Sequence, residues 1–350
     1  MKIMMVLPEF EEGGVERHVL WLSGNLADLG HSVVVVSAGG KMEEKLHPSV
    51  RVLHLPVNRK NPVSGLYSAL RIVVTSKRWK IDLIHAHSRV PAWIAWWASA
   101  LSGTPWVVTV HARYRRNWAI APIRRAHGAI CVSRAVQSHL SGFLPEVNVV
   151  IKNGIPNPVA RWHSKDKKRP MHFLFVGRLT RVKGLQVVLS ALSAERDGAW
   201  ILDIVGDGPQ RRELEDLAEN LGLHGKVRFH GFRDDTDRMM ASSDCLVFPS
   251  LDEGMPLTFM QAARVGIPVL ASDIEPVREL VGEDAPLVAA GDERAWIKAF
   301  SALLRAKATP LTVAPSTVPT SLEMAEKTVA FLGAIVQGER GKAHENPALR

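Results

Sequence analysis

The chain has 350 residues, with 46% hydrophobic and 23% charged side chains, which excludes one small stapled domain and global disorder and leaves enough apolar material for two packed cores. Forty-four Lys and Arg against thirty-five Asp and Glu give a net charge of +9, so anionic partners are expected: nucleic acid, anionic lipid or phosphorylated ligands. The two cysteines, Cys131 and Cys245, lie far apart, which excludes a disulfide framework and points to a reducing, cytoplasmic setting.

In chain order, "KIMMVLP" predicts a first strand; the acidic Glu9, Glu11 and Glu12 that follow it are unlike a signal peptide. Gly13 and Gly14 form a turn, and Val15, Val19, Leu22, Leu26 and Leu29 then recur at helical spacing as far as Gly30. "SVVVVS" reads as a strand covered on both faces, the condition of a parallel α/β sheet. Residues 90–110 run without a charge for about the length of a bilayer span. The "SGTP" turn at 102–105 divides that run into a Trp-rich helix and the strand "WVVTV". A basic helical stretch, "GAICVS" and "VNVVIKNG" complete a Rossmann-like domain over residues 1–155.

Residues 156–170 break the periodicity with prolines and a charge run and are expected to be a linker. "HFLFVG", "WILDIVG", "KVRFHG", "CLVFPS" and "IPVLAS", with helical segments between them, restart the alternation over residues 171–322. An apolar helix over 323–338 is expected to return to the first domain, and 339–350 to fray. The fold class is therefore α/β: two Rossmann-like, doubly wound domains facing a central cleft, where the ligands of such sheets bind.

Two segments carry anion chemistry. "FVGRLTRVKG" places Arg178 and Lys183 on a turn from strand to helix, where two cations can face one diphosphate. In "DEGMPLTFMQA", Glu253 precedes Gly254, which permits close backbone approach, and Pro256 suits the first position of a helix. N–H groups near Leu257 and Thr258 would then point at a phosphate, with Gln261 about 7.5 Å further along the axis. That spacing lets Glu253 hold sugar hydroxyls on one side of a diphosphate while Gln261 reaches a ribose on the other.

Together with "GGVERHVL", "VVTVH", Asn153-Gly154, "VGDGP" and "VRFHGF" in this order, these segments resemble the retaining family-4 glycosyltransferases of GT-B fold. The resemblance covers most of the chain and implies a nucleotide-diphosphate sugar as donor, UDP- or GDP-linked, with no metal and no cofactor. It implies that Arg178 and Lys183 bind the diphosphate, that Glu253 contacts the donor sugar, and that His111 meets that sugar from the first domain. Gly13, Gly14, Gly177 and Gly208 would line the donor site, Gly254, Met255, Pro256, Leu257 and Thr258 would cradle phosphate, and Phe229 and Phe232 would line a nucleobase pocket. The family's E-x7-E pattern has Gln261 at its second position here, which removes a charged acceptor for the ribose hydroxyls.

The reading is a cytoplasmic glycosyltransferase acting on a glycan or lipid-linked glycan, in lipopolysaccharide or surface polysaccharide synthesis. Gln261 supports an alternative, a catalytically silent relative that binds nucleotide or glycan as a partner subunit. His85 and His87 in "HAH" share a strand face, but the sequence offers no carboxylate or cysteine to complete a metal site. Five tryptophans, Trp93, Trp96, Trp97, Trp106 and Trp118, are interleaved with Arg113, Arg115, Arg116, Arg124 and Arg125. This pattern suits peripheral contact with the inner face of an anionic membrane, and no nucleic-acid reader module accompanies it.

Overall fold

Strands that are apolar on both faces need helices above and below them, and the chain supplies these by strict alternation. The structure, a computed structural model, describes residues 1–164 and 170–345; residues 165–169 of the expected linker and 346–350 of the expected tail lie outside the described residues, and beyond residue 339 only backbone is described. Contacts divide the chain into one unit made of Met1–Pro156 with the chain from Pro319 onward, and a second made of Asn157–Val318.

The first unit runs β1 (Lys2–Val6), α1 (Gly14–Asp28), β2 (Ser32–Ser37), β3 (Arg51–His54), α2 (Pro62–Trp79), β4 (Leu83–His87), α3 (Arg89–Ser102), β5 (Trp106–Val110), β6 (Gly128–Cys131), α4 (Arg134–His139) and β7 (Asn148–Val150). Its sheet is parallel throughout, in the order β3-β2-β1-β4-β5-β6-β7. The uncharged run at 90–110 resolves into α3 and β5, parted by Gly103 at φ +73°. Among the described residues, no helix is long and apolar enough to cross a membrane. Where a basic helix was expected, Trp118–Arg125 forms a 3-10 helix with Pro122 inside it; proline lacks the N–H that a regular α-helix would use there.

The second unit runs β8 (Met171–Val176), α5 (Leu185–Ser193), β9 (Trp200–Val205), α6 (Arg211–Asn220), β10 (Val227–Gly231), α7 (Thr236–Ser242), β11 (Cys245–Phe248), α8 (Leu257–Val265), β12 (Val269–Asp273), α9 (Glu275–Val281), β13 (Val288–Ala289) and α10 (Glu293–Leu304). Its sheet is also parallel, in the order β10-β9-β8-β11-β12-β13. Trp200, Trp296, Phe173 and Phe300 anchor its core, with Phe173 and Phe300 edge to face at 5.1 Å.

The chain re-enters the first unit where Ile155 N–H donates to Pro319 C=O. A final helix, α11 (Ser321–Glu345), packs on α1 and continues beyond residue 338, where fraying was expected. Met324, Ala325, Leu332, Ile335 and Val336 bury its inner face in the first unit's core. Gly128 makes room for it, since a Cβ there would lie 2.9 Å from the Phe331 ring.

Candidate active site

In an open parallel sheet, ligands meet the carboxyl ends of strands where the strand order reverses. In the second unit that point lies between β8 and β11, and the two predicted anion segments are the loops that follow these strands. Glycines allow the loops to close on one another. A Cβ on Gly184, at φ +69°, would fall 2.1 Å from Pro249 C=O, and one on Gly206, at φ +128°, 2.0 Å from Gly177 C=O. Gly208 is equally crowded, by Leu179 C=O at 2.4 Å, and Leu179 N–H donates to Asp207 C=O at 2.9 Å. The "VGRLT" and "VGDGP" loops thus form one rigid rim.

On that rim Lys183 Nζ donates to Glu253 Oε1 at 2.6 Å, and Ser250 Oγ donates to the same oxygen at 2.8 Å. The Lys183 and Glu253 side chains are 23% and 13% exposed, so the pair is largely shielded from water yet within reach of a ligand. Arg178 stands exposed on the same loop. Pro256 is not the first helical residue as expected but the cap before it, at φ −82° and ψ 80°. Leu257 N–H, expected to face phosphate, instead turns back to Met255 C=O at 3.0 Å. The first-turn N–H groups of Thr258 and Phe259 take no backbone acceptor among the described residues.

Gln261 is engaged within the protein: its Nε2 donates to Thr236 Oγ1 at 2.8 Å and to Asp237 Oδ1 at 2.6 Å. The carboxylate missing from position 261 therefore has a neighbour of the same kind on α7, and an amide is the group that can donate to it. The two expected nucleobase contacts part company. Phe229 packs toward the second unit's core, because alternate residues of a strand face opposite ways, while Phe232 is 37% exposed beyond the strand's end. His230, next to Phe229, donates instead to Asp203 Oδ1 at 2.8 Å.

The first unit reverses its strand order between β1 and β4. Here the structure gathers four imidazoles, of which the sequence reading assigned a catalytic role only to His111. His87 ends β4, His111 follows β5, and His18 comes up from α1. His87 Nδ1 and His111 Nε2 are hydrogen-bonded at 3.2 Å, and the His18 and His111 rings meet edge to face at 4.8 Å. His18 Nδ1 donates to Asn153 Oδ1 at 2.8 Å, which leaves Nε2 unprotonated and, like His87 Nε2, buried without a partner among the described residues. His85 Nε2 bonds Thr109 Oγ1 at 2.7 Å.

Burial pushes His18 down to about 4 and His85 to about 3, with His18 adding charge repulsion at His85. His87 and His111 lie well below 6.5 for the same two reasons, burial first and neighbouring imidazoles second. All four are neutral at pH 7. His18, His87 and His111 present ring nitrogens within 4.8 Å of one another and could hold a transition metal. Of the HAH pair only His87 joins this group, and its two companions come from the loop after β5 and from α1, while His85 turns to Thr109. His18 was detectable in principle, since it occupies the buried face of α1 between Val15 and Val19.

A second missed signal is Ser88, non-glycine at φ +85° directly after His87, a sparsely populated conformation that tends to collect at working sites. Gly13 caps α1 in extended backbone at φ −157°, and Gly14 opens the helix on an exposed surface.

Comparison with known proteins agrees with this architecture. Residues 12–157 match the family described as Glycosyltransferase Family 4, and residues 170–306 the one described as Glycosyl transferases group 1. The chain is 28% identical over 334 residues to a glycogen synthase of Mycobacterium tuberculosis, covering 80% of each chain. It is also 28% identical over 337 residues to a phosphatidyl-myo-inositol mannosyltransferase of Mycobacterium leprae, covering 87% of this chain and 88% of that one. Anabaena HepE, solved in complex with UDP-glucose, has the same fold, with a TM-score of 0.75 at 19% identity over 99% of this chain and 100% of that one. With both halves matched in this order, the chain belongs to the family-4 glycosyltransferases of GT-B fold.

Proposed function

We propose that this glycosyltransferase moves a sugar from a nucleoside diphosphate to a hydroxyl of a glycan or lipid-linked glycan, with retention of anomeric configuration, in the synthesis of a surface polysaccharide such as lipopolysaccharide. The observation that carries the reading is the Lys183–Glu253 pair on the glycine-tightened rim of the second unit. A diphosphate entering there competes with Glu253 for the Lys183 ammonium, and the exposed Arg178 adds a second cation with two parallel donors. As the bond between the anomeric carbon and the phosphate oxygen breaks, charge grows on that oxygen, and fixed cations stabilise it more than they stabilise the ground state. No metal is required for that step. Glu253, freed from part of its bond to Lys183, accepts hydroxyls of the donor sugar.

In this reading the acceptor oxygen forms the new bond on the face the phosphate leaves, and its proton passes to the departing phosphate oxygen. Neutral His111 offers a hydrogen bond to a sugar hydroxyl, its tautomer set by His87. The relative named for phosphatidyl-myo-inositol supports a lipid-linked acceptor at the membrane face.

The test is transfer from a panel of UDP- and GDP-sugars to water-soluble glycan acceptors in the presence of a chelator, with the anomeric configuration of the product read by NMR. Product of the donor's own configuration is expected. An inverted product refutes retention, and activity lost to the chelator and restored by zinc moves part of the chemistry to the imidazole cluster. Donor binding without transfer or hydrolysis favours the silent partner subunit.

A further inference from the structure

Helix α2 reverses the usual arrangement of a surface helix. Its buried face is made mostly of small residues, Gly65, Ser68, Ala69 and Ser76 with Ile72, and Gly65 admits Trp97 of α3 so closely that a Cβ would lie 2.9 Å from the ring. Its outer face is large and apolar: Val63 is 77% exposed, Val74 62%, and Leu66, Tyr67 and Leu70 each 49%. These five recur at the spacing of a single stripe. The Trp-rich helix, by contrast, is not such a surface. Trp93, Trp96 and Trp97 are half-buried, with Trp93 edge to face with the other two, Trp106 is in the core, and of the five tryptophans only Trp118 is exposed.

Along the sequence, the charge around the stripe has one sign. From Lys45 to Ile81 the sequence holds eight Lys and Arg and no Asp or Glu. At the carboxyl end of α2 a cavity of about 560 Å³ is lined by Lys2, Ser32, Arg51, Arg78 and Lys80. The Arg51 guanidinium lies over the Trp79 ring at 5.4 Å, and Lys2 Nζ donates to Trp79 C=O at 3.2 Å, so two of its cations are held in place. The cavity opens at the amino ends of β1, β2 and β3, whereas His87 and His111 stand at the carboxyl ends of the same sheet. It is therefore a separate site from the one described above.

We propose that α2 docks the enzyme on an anionic phospholipid bilayer, its apolar stripe entering the acyl boundary and the cavity taking a lipid phosphate headgroup. A row of large apolar side chains along one helix, beside a cluster of cations in which Asp82 is taken up by the Lys2 main-chain N–H, matches a surface that is flat, greasy and negative. The proposal deepens the lipid-linked acceptor reading and rests on it only for its purpose.

The test is co-sedimentation of the full chain with vesicles of phosphatidylcholine alone or mixed with phosphatidylglycerol, at low and high salt. Two double variants, Leu66→Ser with Leu70→Ser and Arg51→Glu with Arg78→Glu, are compared with wild type after circular dichroism confirms their fold. Wild type is expected to bind the mixed vesicles about ten-fold more tightly than neutral ones, and each double variant to lose about that much. Equal partition to both vesicles, binding unchanged in the variants, or capture of inorganic phosphate with no vesicle binding overturns the proposal. Transfer to a water-soluble acceptor, measured on the same samples, is expected to be unchanged; failure of vesicle binding with transfer intact sinks the docking alone, and absence of transfer in wild type sinks the catalytic reading instead.

Discussion

In the second unit the loops after β8 and β11 carry an ammonium–carboxylate pair, Lys183 with Glu253, whereas in the first unit β4 ends in His87 and β5 leads into His111, imidazoles that burial keeps uncharged. The same sheet topology thus carries two electrostatic regimes. On the proposed function, a rim that accepts a diphosphate needs permanent charge close to solvent, and the Lys183–Glu253 pair supplies it. On the same proposal, a sheet end that meets sugar hydroxyls needs donors and acceptors without net charge, and burial first, with mutual repulsion second, keeps the four histidines neutral. The division of labour lies in the loops, since the strands behind them are alike.

Removing the charge at the rim should have the largest effect. Lys183→Ala and Glu253→Ala are each expected to lower transfer by at least about 10² to 10³-fold, the scale of a lost electrostatic contact to developing charge, while the folded state survives because neither side chain is part of the core. Steady-state rates alongside melting curves check this; wild-type turnover in both variants contradicts the assignment.

Acid should break the imidazole end first. An unfolded imidazole titrates near 6.5, whereas folded His18 is held at about 4 and His85 at about 3. Below pH 6.5 the unfolded chain therefore binds more protons, so the stability present above 6.5 falls as pH is lowered through this window. The expected slope is about 1.4 kcal/mol per pH unit for each histidine involved. Denaturant titrations between pH 7 and pH 4 measure it, and His85→Asn should flatten the slope; a stability independent of pH over that range contradicts the neutral cluster.

A smaller effect sharpens the contrast from within the second unit. Gln261→Glu restores the family's pattern but sets a carboxylate where an amide now donates to Asp237. A loss of about 1.5–3 kcal/mol in stability is expected, the range for a hydrogen bond to a charged group, with weaker rather than stronger donor binding. Asp237→Asn in the same chain should recover most of the loss. Tighter donor binding by Gln261→Glu alone contradicts this account of the glutamine.

These residues also mark how far the sequence was legible. The alternation of apolar strands and amphipathic helices declares itself locally, so the parallel sheets, the turn inside the uncharged 90–110 run and the loops bearing Lys183 and Glu253 could be read from spacing. The imidazole cluster could not, because His18, His87 and His111 come from a helix, a strand and the loop after another strand, which only the sheet order makes neighbours. The pairing of Gln261 with Asp237 depends on how α7 meets α8, which no local pattern encodes. The turn at Pro256 was read one position too far into its helix, since proline tolerates the cap as well as the first turn. The solvent face of α2 was overlooked for a plainer reason: its apolar residues obey helical periodicity, and periodicity alone does not say which face is buried.

The central claim is that the rim of the second unit holds a nucleoside diphosphate through Lys183. Isothermal titration of UDP and GDP into wild type and Lys183→Ala tests it most directly. The account predicts one-site binding to wild type by at least one of the two nucleotides, weakened about ten-fold or more by the variant and by added salt. Equal affinity in both proteins, at any salt concentration, contradicts it.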